Sequence, residues 1–214
     1  DWLSVFIFIF MMELTALSVS TADWTDHLEI VPVTMFLALV SGTALARSRF
    51  KSWAAALFST SYAIFFIGVQ IGRTMSEGLL WQDRIRSLLG RLEVFVSVIV
   101  QGETNEDPLM FVLLMAVVFW ILASSGTWMF FRKGRLWWAV LPAGAGLIVN
   151  SYFYVGRAPM GAYTATFLLL LLLLVARTDI LSRIDMWKRI RAQVPVEAGT
   201  YVSVVGLGIA LLLV

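Results

Sequence analysis

The sequence predicts an all-α, polytopic transmembrane bundle of about seven spans, with an outer amphipathic helix and a basic amphipathic helix on the cytoplasmic side. Three observations predict it. Hydrophobic residues make up 60% of the 214 residues and charged residues only 14%, where soluble chains carry roughly a quarter charged. The apolar residues fall in runs of roughly 16 to 23, and a helix needs about 20 to cross a hydrocarbon core about 30 Å thick. The runs do not alternate, as barrel strands of about 10 residues would.

Taken in order, the first run covers 2–20 and is interrupted by Glu13; an acidic loop with Asp23, Asp26, His27 and Glu29 follows. No basic leading region or small-residue cleavage site accompanies it, so it is read as a true span. The second run is 30–46. Arg47, Arg49 and Lys51 then form a basic turn before the third, 53–72. The fourth, 109–131, ends in a second basic turn of Arg132, Lys133 and Arg135, and the fifth, sixth and seventh are 136–154, 161–176 and 201–214. The whole of 1–214 is expected to form one bundle. Because the last run meets no polar flank, further chain is expected after Val214.

Two stretches have helical periodicity without the length of apolar sequence a span requires. Over 79–100, Trp81, Ile85, Leu88, Leu89, Leu92 and Ile99 recur on one face while Asp83, Arg84, Arg86 and Arg91 occupy others, which predicts a helix lying flat on the outer surface. Over 179–191, Ile180, Ile184, Trp187 and Ile190 form a stripe, and Asp179 with Arg183 and Asp185 with Arg189 stand at the supportive i, i+4 spacing. Pro195 is expected to end this second helix.

Basic residues in short loops are retained in the cytoplasm. The two basic turns with Arg177, Arg183, Lys188, Arg189 and Arg191 place eleven of the 16 lysines and arginines on one side, against Arg73, Arg84, Arg86, Arg91 and Arg157 on the other. The start of the chain is therefore expected inside and the residues after 214 outside. Trp53, Trp137 and Trp138 follow the basic turns directly, at the depth where indole rings favour the headgroups.

The residue types present exclude several chemistries. There are no cysteines and one histidine, His27, in a loop; thiolate metal sites, iron–sulfur ligation, cysteine nucleophiles and bis-histidine haem all lack their ligands. Lys51, Lys133 and Lys188 fall outside the spans, so no lysine is placed for a retinal Schiff base. The basic residues sit in clusters between apolar runs and not along one solvated face, so nucleic acid is not an expected partner. No catalytic residue, metal ligand or cofactor is expected; the expected partners are the lipid bilayer and other membrane protein subunits. Glu13 is the intramembrane polar candidate, since a carboxylate at that depth is costly. Gly68 and Gly72, four apart, and Ala139, Ala143 and Gly146 are the candidates for close helix packing.

The order of features carries a resemblance. An outer amphipathic insertion, then NEDPLMFVLLMAVVFW at 105–120, then RLWWAVLPAGAGLIVNSYF at 135–153, then a basic helix before a last span resembles the N-terminal membrane domain of bacterial transglutaminase-like membrane proteins. That resemblance implies the bacterial inner membrane and an extracytoplasmic papain-like domain with Cys, His and Asp, which would have to lie after Val214. It implies for these residues a non-catalytic anchor or scaffold packing as an accessory subunit. Two rivals are an accessory subunit of a respiratory or photosynthetic electron-transfer complex, and a transporter or channel using Glu13 with the Pro142 region.

The topology is testable against a background free of cysteine. Single cysteines at Asp23 and Lys133 should react with an impermeant thiol reagent from opposite faces of the membrane. Labelling of both from one face would overturn the assignment of sides.

Overall fold

In hydrocarbon each backbone N–H must find its acceptor within its own segment, and a helix meets that demand residue by residue. The computed structural model, which describes residues 2–75, 78, 80–103 and 107–189, contains helices and no strands among those residues. The helices are α1 (Trp2–Thr21), α2 (Ile30–Arg47), α3 (Ser52–Thr74), α4 (Trp81–Val100), α5 (Pro108–Thr127), α6 (Leu136–Phe153) and α7 (Met160–Arg189). Six of them, all but α4, are long and apolar enough to cross a bilayer. The chain is a multi-pass membrane protein. The expected seventh span, 201–214, and Pro195 lie outside the described residues.

Two elements differ from expectation. The sixth span and the basic helix after it are one continuous helix of 30 residues, about 45 Å long at 1.5 Å per residue. No glycine or proline falls between 162 and 189, and the Arg183 Nε–H donates to the Asp179 carboxylate across one turn at 2.8 Å. The i, i+4 pair taken as the mark of a separate helix therefore carries the span onward. The fourth span also does not stay α-helical to its end: Trp128–Arg132 is a π-helical turn continuing α5.

The chain divides into two compact units, Val19–Pro142 and Asp1–Ser18 with Ala143–Val214. In the first, α2 and α5 make the most extensive helix pair. Their buried faces are rich in small residues, among them Ala38, Gly42 and Thr43 of α2 and Ala116, Ala123, Gly126 and Thr127 of α5. At Gly42 an added Cβ would collide with the Thr127 hydroxyl and lie 3.5 Å from the Ser124 Cα. α3 is tied to both neighbours by polar groups: Gln70 Nε2 donates to Thr34 Oγ1 at 3.0 Å, Ser59 Oγ donates to Ser124 Oγ at 3.1 Å, and Trp120 Nε1 donates to Ser59 Oγ at 3.1 Å.

The two basic turns meet at one end of this unit. Arg132 donates to the carbonyls of Ser48 (3.3 Å) and Phe50 (2.7 Å) and its guanidinium lies 4.5 Å from the Trp128 ring centre, while Arg47 lies over Phe131 at 5.2 Å. Gly134, at φ +64°, reverses the chain so that the Arg135 N–H reaches back to the Met129 carbonyl at 2.9 Å. At the other end α4 begins with Trp81 against Gly72, and Arg84 donates to the Gly72 carbonyl at 2.7 Å. None of α4's described residues is buried.

In the second unit, residues 143–153 of α6 contact both α1 and α7. The Thr15 hydroxyl donates to the Ala143 carbonyl at 3.5 Å on one side, and on the other a Cβ at Gly144 would stand 3.2 Å from the Phe167 ring.

The α2–α5 seam generates a comparison. Gly42→Val should destabilise the bundle by about 1 to 3 kcal/mol, the usual range for overpacking. Gly68→Val should leave it near neutral, because a Cβ there meets nothing within 4 Å. Detergent unfolding of the two variants beside the parent measures both.

Candidate functional site

Besides the polar ties of α3 and of the basic turns, polar groups gather in one further place in each unit. In the unit formed by α1, α6 and α7, Asn150 is 2% exposed and Ser18 and Thr15 are fully buried. Asn150 Nδ2 donates to Ser18 Oγ (3.2 Å), and Ser18 Oγ–H donates to the Thr15 carbonyl (2.8 Å). Thr15 and Ser18 share one face of α1 because they are three apart, and α6 brings Asn150 onto the same stripe as Ala143 and Leu147 at i, i+4, i+7. Asn150 Oδ1 has no hydrogen-bond partner among the described residues. Ser151 and Thr164 hydroxyls meet at 3.3 Å between α6 and α7.

Glu13 belongs to the same helix but lies about 200° around it from Thr15 at 100° per residue, so it does not join this group. Its residue is half-buried, and its Oε2 atom is inaccessible and makes no hydrogen bond among the described residues. Ala139 and Ala143 are buried at 1% and 0%. Gly146 is exposed, and a Cβ there would rest 3.8 Å from the Thr15 methyl in ordinary contact. Gly72 is buried against Trp81, whereas Gly68, one turn earlier, is open. The close approach at Gly42 had no signal in a four-residue glycine spacing, since its counterpart is a threonine on α5.

In the other unit, a cavity of about 370 Å³ is lined by Asp26, His27, Thr74, Met75, Ser87, Arg91, Asp107, Pro108 and Leu109. Its residues come from the acidic loop, the end of α3, α4 and the start of α5. Asp107 caps α5: its carboxylate accepts from the Leu109 N–H at 3.0 Å, with Pro108 in the first turn, the usual way a helix start satisfies a free donor. Arg91 Nη1 donates to both Asp107 carboxylate oxygens, at 3.1 and 2.9 Å, a charge-assisted contact that ties the polar face of α4 to α5. His27 stands at φ +65°, a left-handed conformation uncommon outside glycine, with Nδ1 3.4 Å from Glu29 Oε1. The sequence placed His27 in a loop and Arg91 on the outer amphipathic helix without joining them; Asp107 followed by Pro108, a cap and a first-turn proline, is the pattern that could have marked the start of α5.

Among the described residues no three His, Asp or Glu side chains come together as a metal ion would require. Comparisons with family models, curated proteins and solved structures give no match to this chain.

The buried hydrogen bond predicts a non-additive pair. Ser18→Ala leaves Asn150 Nδ2 without an acceptor and should cost about 1 kcal/mol, whereas replacing both partners, Ser18→Ala with Asn150→Leu, should recover most of that loss. Unfolding of both variants in detergent checks it. Equal destabilisation by the single and double variants would count against the bond.

Proposed function

We propose that this chain is a non-catalytic integral membrane anchor and scaffold that packs as an accessory subunit against a larger membrane assembly. The proposed setting is the bacterial cytoplasmic membrane, with the start of the chain inside, as the basic turns and the likeness to transglutaminase-like membrane domains suggest. The observation that carries the reading is α3. Of its 23 residues only Ala55, Ile67, Ile71 and Gly72 are buried, and an ordered aromatic ridge runs along it: Phe50 to Phe58 at 5.1 Å between ring centres, Phe58 to Tyr62 at 6.4 Å, and Tyr62 to Phe66 at 6.4 Å.

The ridge ends on Trp120 of α5, 6.2 Å from Phe66 and fixed by its bond to Ser59. Lipid tails are as apolar as these rings, so helices associate in a bilayer through packing of matched surfaces. Rings already held by one another lose little freedom when a partner docks. The same ridge suits an accessory subunit of a respiratory or photosynthetic complex, and the identity of the partner separates that alternative from the anchor.

A photo-cross-linking residue at Phe65, which is 62% exposed and lies on the ridge side of α3, should capture another membrane protein in cells. Tyr62→Ala with Phe65→Ala should lower co-purification of that partner about tenfold or more, the scale of an interface anchor. Cross-links to lipid alone, with co-purification unchanged, would sink the scaffold reading.

A further inference from the structure

We propose that the paired basic turns form a binding site for the phosphate headgroups of anionic phospholipids. The turns are locked together by Arg132, which donates to the carbonyls on either side of Arg49 and lies against Trp128. Arg132 is thereby committed to the fold. Arg49, Lys51, Lys133 and Arg135 are not: all four are exposed, and none forms an ion pair among the described residues.

No neutralising carboxylate is supplied by sequence either, for there is no Asp or Glu from 30 to 76 or from 108 to 178. The cluster is therefore uniformly cationic, unlike the other end of the same unit, where Arg91 is matched by Asp107 and Arg86 by Asp83. α3 adds to the charge. It starts at this cluster with Lys51 as its N-cap and, among the described residues, no side chain capping its first amides, so those N–H groups and the positive end of the helix dipole are open to an anion.

Depth identifies the anion. Trp53, Trp137 and Trp138, exposed by 68%, 54% and 71%, stand in the first turns after the two basic segments, and exposed indoles settle at the headgroup level of a bilayer. The four cations are thus held at the plane of the lipid phosphates. Guanidinium groups suit phosphate oxygens through paired hydrogen bonds, lysine as a point charge. A soluble polyanion or an acidic protein would meet the same charge but would have no use for the tryptophans.

The test uses the full chain, purified in mild detergent and offered equal amounts of phosphatidylglycerol and phosphatidylcholine, with retained lipid read by native mass spectrometry. The parent should retain phosphatidylglycerol in preference. Replacing the four cations together (Arg49→Gln, Lys51→Gln, Lys133→Gln, Arg135→Gln) should reduce that preference about tenfold or more, while Arg86→Gln with Arg157→Gln should leave it unchanged. Because removing positive charge can disturb insertion, a photoactivatable phosphatidylglycerol is also cross-linked to the parent chain, and its adducts should map to the peptides containing Arg49 to Trp53 and Lys133 to Trp138. Equal retention of the two lipids, an undiminished preference in the fourfold variant, adducts elsewhere on the chain, or displacement of the lipid by equimolar inorganic phosphate would each overturn the proposal.

Discussion

Close backbone approach between α2 and α5 is the constraint on which the larger unit rests. In water two apolar helices are driven together by the loss of hydrated surface, but in a bilayer separated helices already lie in an apolar solvent. What remains is contact between matched surfaces. Gly42 supplies it by having no Cβ where the Thr127 hydroxyl stands, and the small residues along both seams let dispersion contacts accumulate over the full length of the pair. Once α5 is seated, its Ser124 and Trp120 are placed to receive α3 through Ser59, and its π turn is placed to hold the α2–α3 connection through Arg132.

Much of this was legible in the sequence. Expected spans at 2–20, 30–46, 53–72 and 136–154 correspond to Trp2–Thr21, Ile30–Arg47, Ser52–Thr74 and Leu136–Phe153, because an apolar run bounded by charge has only one way to lie in a bilayer. The amphipathic stretch beginning near 79 became α4 for a related reason, its polar groups being needed for Gly72 and Asp107. Partners were not legible. Gly68 and Gly72 share a face by spacing, yet among the described residues only Gly72 has a neighbour to approach, and spacing names a face without saying what lies opposite it.

The continuous α7 shows the opposite limit. Polar residues after an apolar run mark where the solvent changes, not where the backbone stops, and a helix with no glycine or proline continues across that boundary on its own hydrogen bonds. The join of Arg91 to Asp107 and the chain of Asn150, Ser18 and Thr15 were hidden for a third reason: each links positions far apart in sequence, 16 residues in the first case and 132 between Asn150 and Ser18.

The π turn at Trp128–Arg132 has a further consequence, which concerns how this protein can change. A π turn is in effect an α-helix with one residue inserted, so everything after it is rotated by about 100° from the face it would otherwise occupy. Loss of a single residue from this turn would restore a regular helix and keep the chain spanning. It would also swing Arg132 away from the α2–α3 turn that it closes. Length drift of one residue, which is neutral at most helix ends, is therefore not neutral here: the insertion itself is the device that aims the arginine.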